Sequence, residues 1–464
     1  MNKIQQYYMK NRVFIWGGLV VYLLHIGYLL NSTTNIPLMD YWTYIYEFTD
    51  KVFMGNISCS DIWTNFTAHR APFQYICFFF NLKFFDGNTL VSVYLASLVT
   101  LTTTMYIYKC YRKDMQDNNS KVIQIGAVLI SVTLFSLNRW EIITLEFSFA
   151  FAVRILMFVV IFDLIDKICH KNEKCRKMVW EIAVFIFVVV LLFSSSYFPA
   201  MILTVAIIMI GTLFSGEIKD KKEFFQECCI IGGFALLAAI IYMFHLNTGS
   251  KVSLSFLLSI DFWLSMGKGL LLMMAGSFIH VNKFNNGSIY FGGIIFLIYI
   301  FSFIIYYRKR LYKLTYVPIM LMLYSILSML IISYARIGMF DVSYVSASRY
   351  TYETTLGIVG IIWVCMLAYA EEHTSGSGKL FTRKYILLGC IAIFISINLI
   401  ITENTERRMA VYRKAYMQNL QEMAYNIEDY SDDELAGFQA NQPEYVREGI
   451  EKLKKYRLSI FKYY

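Results

Sequence analysis

The sequence predicts an all-α protein that crosses a membrane many times. Of its 464 residues, 57% are hydrophobic and 17% are aromatic, whereas only 16% are charged. Soluble domains carry nearer a quarter of charged residues. Apolar runs of about 18 to 22 residues recur along most of the chain, and each is long enough to cross a hydrocarbon core of about 30 Å. This composition excludes a collagen, a disordered chain, a nucleic-acid-binding domain and a disulfide-stapled secreted module.

Eleven apolar segments have the length of a transmembrane helix. Two further apolar stretches, 71–85 and 254–280, are predicted to be interfacial or re-entrant helices. Counting them as crossings would place the basic clusters at 109–113 and 308–313 outside the cell, against the positive-inside rule. The eleven predicted spans are 13–30, 88–108, 121–138, 147–166, 179–196, 197–215, 226–245, 288–307, 315–334, 351–370 and 384–402.

The distribution of lysine and arginine predicts the orientation of the chain. With eleven spans, about 22 Lys and Arg residues fall in cytoplasmic segments and about 9 in the outer loops before the tail. We therefore expect a cytoplasmic N-terminus and an outer C-terminus. Residues 1–402 then form a transmembrane domain, in which 31–72 is a long, aromatic first outer loop with helices in the headgroup plane. Residues 403–464 are predicted to form a small helical domain outside the membrane.

Ionisable residues near the predicted outer face carry the functional signal, because charges at membrane depth are costly and are often retained for function. Three separate loops deliver such residues to this face. One carboxylate among several arginines suits chemistry on a lipid-linked phosphate, since guanidinium groups bind phosphate oxygens and a carboxylate can accept the proton of an attacking hydroxyl. The candidate residues are Asp40, Trp42, Glu47, His69, Arg70, Arg139, Glu141, Glu146, Arg336, Arg349 and Tyr350.

Each candidate also has a structural alternative. Asp40 could be a polar helix end at the water interface, and His69 with Arg70 could be a solvated pair. Arg336 and Arg349 could be interface anchors whose charged ends reach water. The nine cysteines fit no metal-binding spacing, and we expect neither a metal site nor a cofactor.

Short motifs around these residues occur in a characteristic order and are expected at one membrane face. They resemble motifs of the GT-C superfamily of integral membrane glycosyltransferases, in particular bacterial multispan proteins of surface-polysaccharide and glycolipid assembly. The motifs are Met39-Asp40-Tyr41-Trp42, His69-Arg70, Arg139-Trp140-Glu141, Arg336-Ile337-Gly338 and Ser348-Arg349-Tyr350.

The resemblance implies a GT-C-like transmembrane domain and an inverting sugar transfer. The donor would be a polyprenyl-phosphate-linked sugar, and the acceptor a lipid-linked or cell-wall glycan at the outer face of a bacterial cytoplasmic membrane. Asp40 would be the base, Arg70, Arg336 and Arg349 would bind phosphate, and His69 would orient the substrate.

The resemblance is incomplete in one respect, and two other functions stay open. Many GT-C proteins carry two acids in the first outer loop, whereas Met39 precedes Asp40 here, which leaves Glu47 or Asp61 as a possible partner acid. An O-antigen-type or capsule-type polysaccharide polymerase would usually work through a long late outer loop. A lipid or glycan flippase, which is not an enzyme, would need polar residues lining the centre of the bilayer.

Overall fold

The computed structural model describes residues 3–66, 69–115, 121–170, 176–218, 220–246, 253–279, 286–337, 340–375 and 381–463. Within these residues the chain is almost entirely helical. A short antiparallel pair of strands, β1 (Asn65–Phe66) and β2 (His69–Arg70), places Asn65 opposite Arg70. The helices are α1 Lys3–Ser32, α2 Tyr41–Met54, α3 Cys59–Ile62, α4 Pro72–Phe85, α5 Thr89–Asp114, α6 Lys121–Leu134, α7 Trp140–Thr144, α8 Ser148–His170, α9 Arg176–Leu192, α10 Phe198–Phe214, α11 Lys221–Met243, α12 Leu254–Leu257, α13 Ile260–Gly276, α14 Asn286–Arg308, α15 Val317–Ile337, α16 Thr351–Ser375, α17 Phe381–Tyr425 and α18 Pro443–Lys455.

Nine helical segments of the described chain are long and apolar enough to cross a membrane. The prediction of an all-α, multi-pass membrane protein is thereby confirmed, although the count of eleven spans is not. One remaining predicted span is α9, whose 17 residues extend about 26 Å. The other falls in the first half of the 45-residue helix α17. The nine segments are Asn11–Ser32, Thr89–Asp114, Lys121–Thr144, Ser148–His170, Ser195–Phe214, Lys221–Met243, Gly287–Arg308, Val317–Ile337 and Ser348–Glu371.

The two stretches predicted to be interfacial or re-entrant form shorter helices. Residues 71–85 become the 14-residue helix α4, which buries Tyr75 and Phe78 and exposes Phe80 and Phe84. Residues 254–280 become the four-residue helix α12 and the 17-residue helix α13. At 1.5 Å per residue, α4 and α13 are both shorter than the hydrocarbon core of a typical bilayer.

The bundle has two faces of different character. At one face, which we call the basic face, His170 Nε2 lies 2.8 Å from the carbonyl oxygen of Tyr312, and Lys313 pairs with Glu217 at 3.0 Å. These contacts join the ends of α8 and α10 to the basic segment after α14. The opposite face, which we call the loop face, carries residues 33–40, the two strands and the C-terminal tail.

The first long loop and the tail share one hydrophobic core at the loop face. Helix α2 packs against α18, and Phe53 stacks on Tyr456 with ring centres 4.3 Å apart. Helix α17 runs unbroken through the predicted domain boundary at 402/403 and ends at Tyr425, so the tail begins as a continuation of the last long helix. The members of this core include Trp42, Phe48, Phe78, Leu420, Phe438 and Ile450.

One acidic residue ties the loop to the tail. Asp50 on α2 accepts hydrogen bonds from the Tyr456 hydroxyl at 2.8 Å and from Lys455 at 3.0 Å, and it pairs with Lys452 at 3.1 Å. Burial raises the pKa of Asp50, but the hydrogen bonds from Tyr456, Lys455 and Lys452 outweigh it and hold the pKa at about 2. The stabilisation is therefore complete above the unfolded pKa of about 3.9 and is lost as the pH falls through about 2.

We predict that Asp50→Asn loosens the tail. Because the ionic contacts are partly exposed, their loss is expected to favour local opening by about 1 kcal/mol, or roughly fivefold. Limited proteolysis at pH 7 should therefore cleave the tail about five times faster than in the wild type. Asp432→Asn, which removes an exposed ion pair with Arg447 inside the tail, is the control and should not change this rate. Equal cleavage of Asp50→Asn and wild type would contradict the assignment.

Candidate functional site

Asp40 lies at the loop face, immediately before α2, and its backbone position is fixed by its neighbours. The Leu38 N–H donates to Glu146 Oε1 at 2.8 Å, and the Met39 N–H donates to the carbonyl oxygen of Phe438 at 2.9 Å. Met39 adopts a left-handed conformation with φ of 53°, which few residues other than glycine adopt. The chain therefore turns sharply just before Asp40 and is held on both sides of the turn.

The Asp40 carboxylate is partly buried and faces positive charge. Burial raises its pKa, and this effect outweighs the guanidinium groups of Arg349 and Arg336, which lower the pKa. No hydrogen bond or salt bridge from the residues that the structure describes engages the carboxylate. Asp40 thus combines a fixed backbone, two cationic neighbours and a free acceptor group.

The two arginines flank one aromatic ring. The ring centre of Tyr350 lies 5.7 Å from the Arg336 guanidinium carbon and 5.3 Å from that of Arg349. Arg349 is held firmly, since its Nη1 pairs with Glu141 at 3.2 Å and its Nη2 donates to the Tyr344 hydroxyl at 2.5 Å. The Glu141 carboxylate also accepts the backbone N–H of Arg349 at 3.1 Å.

Arg336 differs from Arg349 in having no carboxylate partner in the described part of the chain. Its guanidinium lies over the rings of Phe340 and Tyr350, at 6.0 and 5.7 Å. Arg336 therefore keeps its hydrogen-bond donors for a ligand, whereas Glu141 already offsets the charge of Arg349. Gly338, the last residue of the Arg336-Ile337-Gly338 motif, lies outside the described residues.

His69 belongs to the same group of residues. Its side chain is half-buried from solvent, and desolvation, followed by the charges of Arg336 and Arg154, lowers its pKa to about 4. The imidazole is therefore neutral at physiological pH. A neutral ring can donate one hydrogen bond and accept another, which suits orientation of a hydroxyl-bearing substrate.

A buried ion pair below this group was not among the predicted site residues. Arg154 of α8 bonds Glu353 of α16, and the Tyr324 hydroxyl of α15 donates to the same carboxylate. The Arg154 guanidinium also lies 4.1 Å from the ring centre of Tyr197. These contacts join three spans beneath the site. The sequence signal that could have predicted this ion pair is the presence of an arginine and a glutamate inside apolar spans.

Two predicted substrate-binding residues have structural positions instead. The three guanidinium nitrogens of Arg70 donate to the backbone carbonyl oxygens of Trp63, Tyr242 and Phe244, which anchors the end of α11 to the strand pair. Trp42 is fully buried in the loop and tail core, 5.4 Å from the ring centre of Phe438. Because these groups are already engaged or enclosed, we remove both from the proposed phosphate-binding and substrate-binding set.

Three of the remaining candidates have exposed or structural positions. Glu47 is exposed on α2. Arg139 is buried beside α16, with its guanidinium 4.2 Å from the ring centre of Tyr352. Glu146 is buried and holds the Leu38 N–H, so it fixes the Asp40 loop from below.

The comparisons of this chain with protein-family models, with curated proteins and with solved structures find no match. Within the described residues, no group of three or more His, Cys, Asp and Glu side chains is arranged to hold a metal ion. The geometry and charge of the site are therefore the basis for proposing a function.

Glu146 gives the site a predicted pH dependence. Burial raises its pKa to about 8, against the lowering effect of backbone hydrogen bonds, including that from Leu38. The unfolded chain loses this proton near pH 4.3, so stability falls as the pH rises between about 4.3 and 8. A glutamine stays neutral, and we predict that Glu146→Gln raises the melting temperature more at pH 7.5 than at pH 5.

The control for this measurement is Glu434→Gln. Glu434 is exposed, and hydrogen bonds from Ser431 lower its pKa, so it titrates below the window of interest. Its substitution should shift the melting temperature equally at both pH values. A shift for Glu146→Gln that does not depend on pH would show that the carboxyl is not protonated in the folded protein.

Proposed function

We propose that this protein is a membrane glycosyltransferase that transfers a sugar from a polyprenyl-phosphate donor to a lipid-linked or cell-wall glycan. The observation that carries the proposal is the Asp40 carboxylate at the loop face, which no described residue engages and whose pKa is lowered by the charges of Arg349 and Arg336 against the larger, raising effect of burial. A base and a cationic phosphate site are the two groups that this transfer needs. The motif resemblance to GT-C glycosyltransferases agrees with this reading of the site.

In the proposed reaction, Asp40 accepts the proton of an acceptor hydroxyl as its oxygen attacks the anomeric carbon of the donor sugar. The bond between that carbon and the phosphate oxygen breaks, and its electron pair stays on the polyprenyl phosphate. Arg336, with Arg349 beside it, binds the phosphate oxygens and offsets the charge that develops on them. Attack from the side opposite the leaving phosphate inverts the anomeric configuration.

The charge distribution supports an outer location for this chemistry. The basic face gathers the segments around Lys313 and His170, and the positive-inside rule assigns such a face to the cytoplasm. The loop face then lies at the outer side of a bacterial cytoplasmic membrane, among the membrane lipids that carry both substrates. The N-terminus would be cytoplasmic and the tail extracytoplasmic.

Neither alternative function gains support from a particular contact. A polymerase would be favoured by a long late outer loop, but the long loop here is the first one. A flippase would be favoured by open polar groups along the bundle. The Arg154–Glu353 pair is instead closed by Tyr324 and lies between packed helices, where Arg154 is 2% and Glu353 1% exposed.

The base assignment is tested by Asp40→Asn. Reconstituted protein is supplied with a radiolabelled polyprenyl-phosphate sugar and bacterial glycolipid acceptors, and transfer is measured. Loss of a general base should reduce the rate by about 100-fold or more. The control is Asp61→Asn in the same loop, where Asp61 is paired with Lys51 at 2.7 Å, and it should retain the wild-type rate. Unimpaired transfer by Asp40→Asn would refute the assignment.

A second pair of variants separates phosphate binding from architecture. Arg336→Gln should raise the KM for the donor roughly tenfold to 100-fold, since a charge-assisted hydrogen bond contributes about 1.5 to 3 kcal/mol. Its melting temperature should stay unchanged. Arg70→Gln should lower the melting temperature, because three backbone carbonyl groups lose their donor, and should leave the donor KM unchanged. If Arg70→Gln raised the donor KM and Arg336→Gln lowered only the melting temperature, Arg70 and not Arg336 would be the phosphate-binding residue.

A further inference from the structure

A cavity of about 270 Å³ opens at the loop face between α17, α7 and the residues just before Asp40. Leu38 and Met39 form one wall, and Trp140 and Glu141 form another. The tail contributes a third wall through α17. The volume is nearly twice the 150 Å³ of an engineered cavity that accommodates a benzene ring, so it can hold a ring and the beginning of a chain.

The position of the cavity connects it to the proposed reaction. Met39 immediately precedes Asp40, and Glu141 is the ion-pair partner of Arg349. Asp40 itself is not part of the lining, which ends at Met39, and Arg336, Arg349 and His69 are not part of it either. A molecule in the cavity would therefore approach Asp40 from the side of α17, while the phosphate-binding arginines act from α15 and the start of α16.

The cavity is not built to bind an anion. Arg413 lines it, but its guanidinium makes two-pronged hydrogen bonds to Glu406, of 3.1 and 2.8 Å from Nη2. The same guanidinium lies 3.2 Å from the ring centre of Trp140. The charge of Arg413 is thus already neutralised and its position fixed, which removes the donor phosphate as an occupant.

The remaining lining suits an amphipathic molecule. Met409 and Met417 supply flexible apolar surface, and Tyr412 and Tyr416 are 69% and 42% exposed at the rim. Tyrosine is typical of surfaces where apolar and wet regions meet. Sites for small organic ligands are usually lined by many apolar groups and a few polar ones.

We infer that this cavity binds the acceptor, and that the acceptor is a lipid-linked glycan rather than a soluble one. Its apolar part packs against Met409 and Met417, and its hydroxyl-bearing sugar lies toward Met39 and Glu141, within reach of Asp40. This inference rests on the proposed function and narrows its acceptor class.

The binding part of the inference is tested without turnover. The protein in lipid nanodiscs is irradiated with a long-chain alkyl glucoside that carries a diazirine in its chain, and labelled peptides are identified by mass spectrometry. We expect labelling within residues 409–417. Met409→Trp, which fills the cavity, should reduce this labelling roughly tenfold, as the loss of about 1.4 kcal/mol of binding would. Val411→Trp is the control, because Val411 is 66% exposed on the same helix and does not line the cavity.

Two outcomes of the labelling experiment would overturn the inference. In one, Met409→Trp labels as strongly as the wild type, which would place the probe elsewhere. In the other, a diazirine glucoside without the alkyl chain labels the same peptide equally well, which would make the cavity a site for soluble glycans.

Kinetics separate this inference from the proposed function. With a glycolipid acceptor, Met409→Trp should raise the acceptor KM roughly tenfold and leave the donor KM unchanged, while Val411→Trp changes neither. If the wild type transfers sugar but Met409→Trp leaves the acceptor KM unchanged, the acceptor cavity is refuted and the transferase stands. If the wild type does not use polyprenyl-phosphate donors at all, the proposed function is refuted, and the acceptor assignment, which rests on it, falls as well, whatever the labelling shows.

Discussion

The Asp40 carboxylate can act as a base only if its position is fixed and it has no other partner. Two backbone hydrogen bonds fix the chain just before Asp40. Leu38 is held by Glu146, and Met39 is held by Phe438 of the tail. Both bonds use the N–H groups of residues that precede Asp40, and none of the described residues engages the carboxylate itself. The position of Asp40 is thus fixed by backbone contacts that leave its carboxylate available, as a preorganised site requires.

The ionisable groups around this constraint differ in how completely they are neutralised. Arg154 and Glu353 neutralise each other inside the bundle, and Glu141 offsets the charge of Arg349 at its edge. An unpaired charge in an apolar environment is costly, so the closed pairs are what the fold demands of buried residues. Arg336 and Asp40 lack such partners among the described residues, and both side chains are partly exposed. A phosphate would provide the missing partner of Arg336, and a hydroxyl the missing partner of Asp40.

Features that depend on neighbouring residues in the sequence could be predicted, whereas features that depend on contacts between distant residues could not. Span positions could be predicted because length and apolar content are local properties of the chain. The gathering of Asp40, Arg336 and Arg349 could also be expected, since charge counts assigned their loops to one face. The role of Arg70 could not, because its acceptors Tyr242 and Phe244 lie more than 170 positions away. The support of Leu38 by Glu146, across 108 positions, was equally hidden.

The shared core of loop and tail was hidden for the same reason, and it changes how the tail is understood. The sequence predicted a small outer helical domain after residue 402; helix α17 continues through that point, and its far half shares a hydrophobic core with α2 and α18. The tail supplies the carbonyl group that holds Met39 and one wall of the cavity beside it. Arg349 is held instead by Glu141 of α7 and by Tyr344, and Arg336 lies against Phe340 and Tyr350. The tail therefore contributes both to the position of the proposed base and to the wall of the proposed acceptor cavity, while the arginines proposed to bind phosphate are held by residues of the membrane bundle.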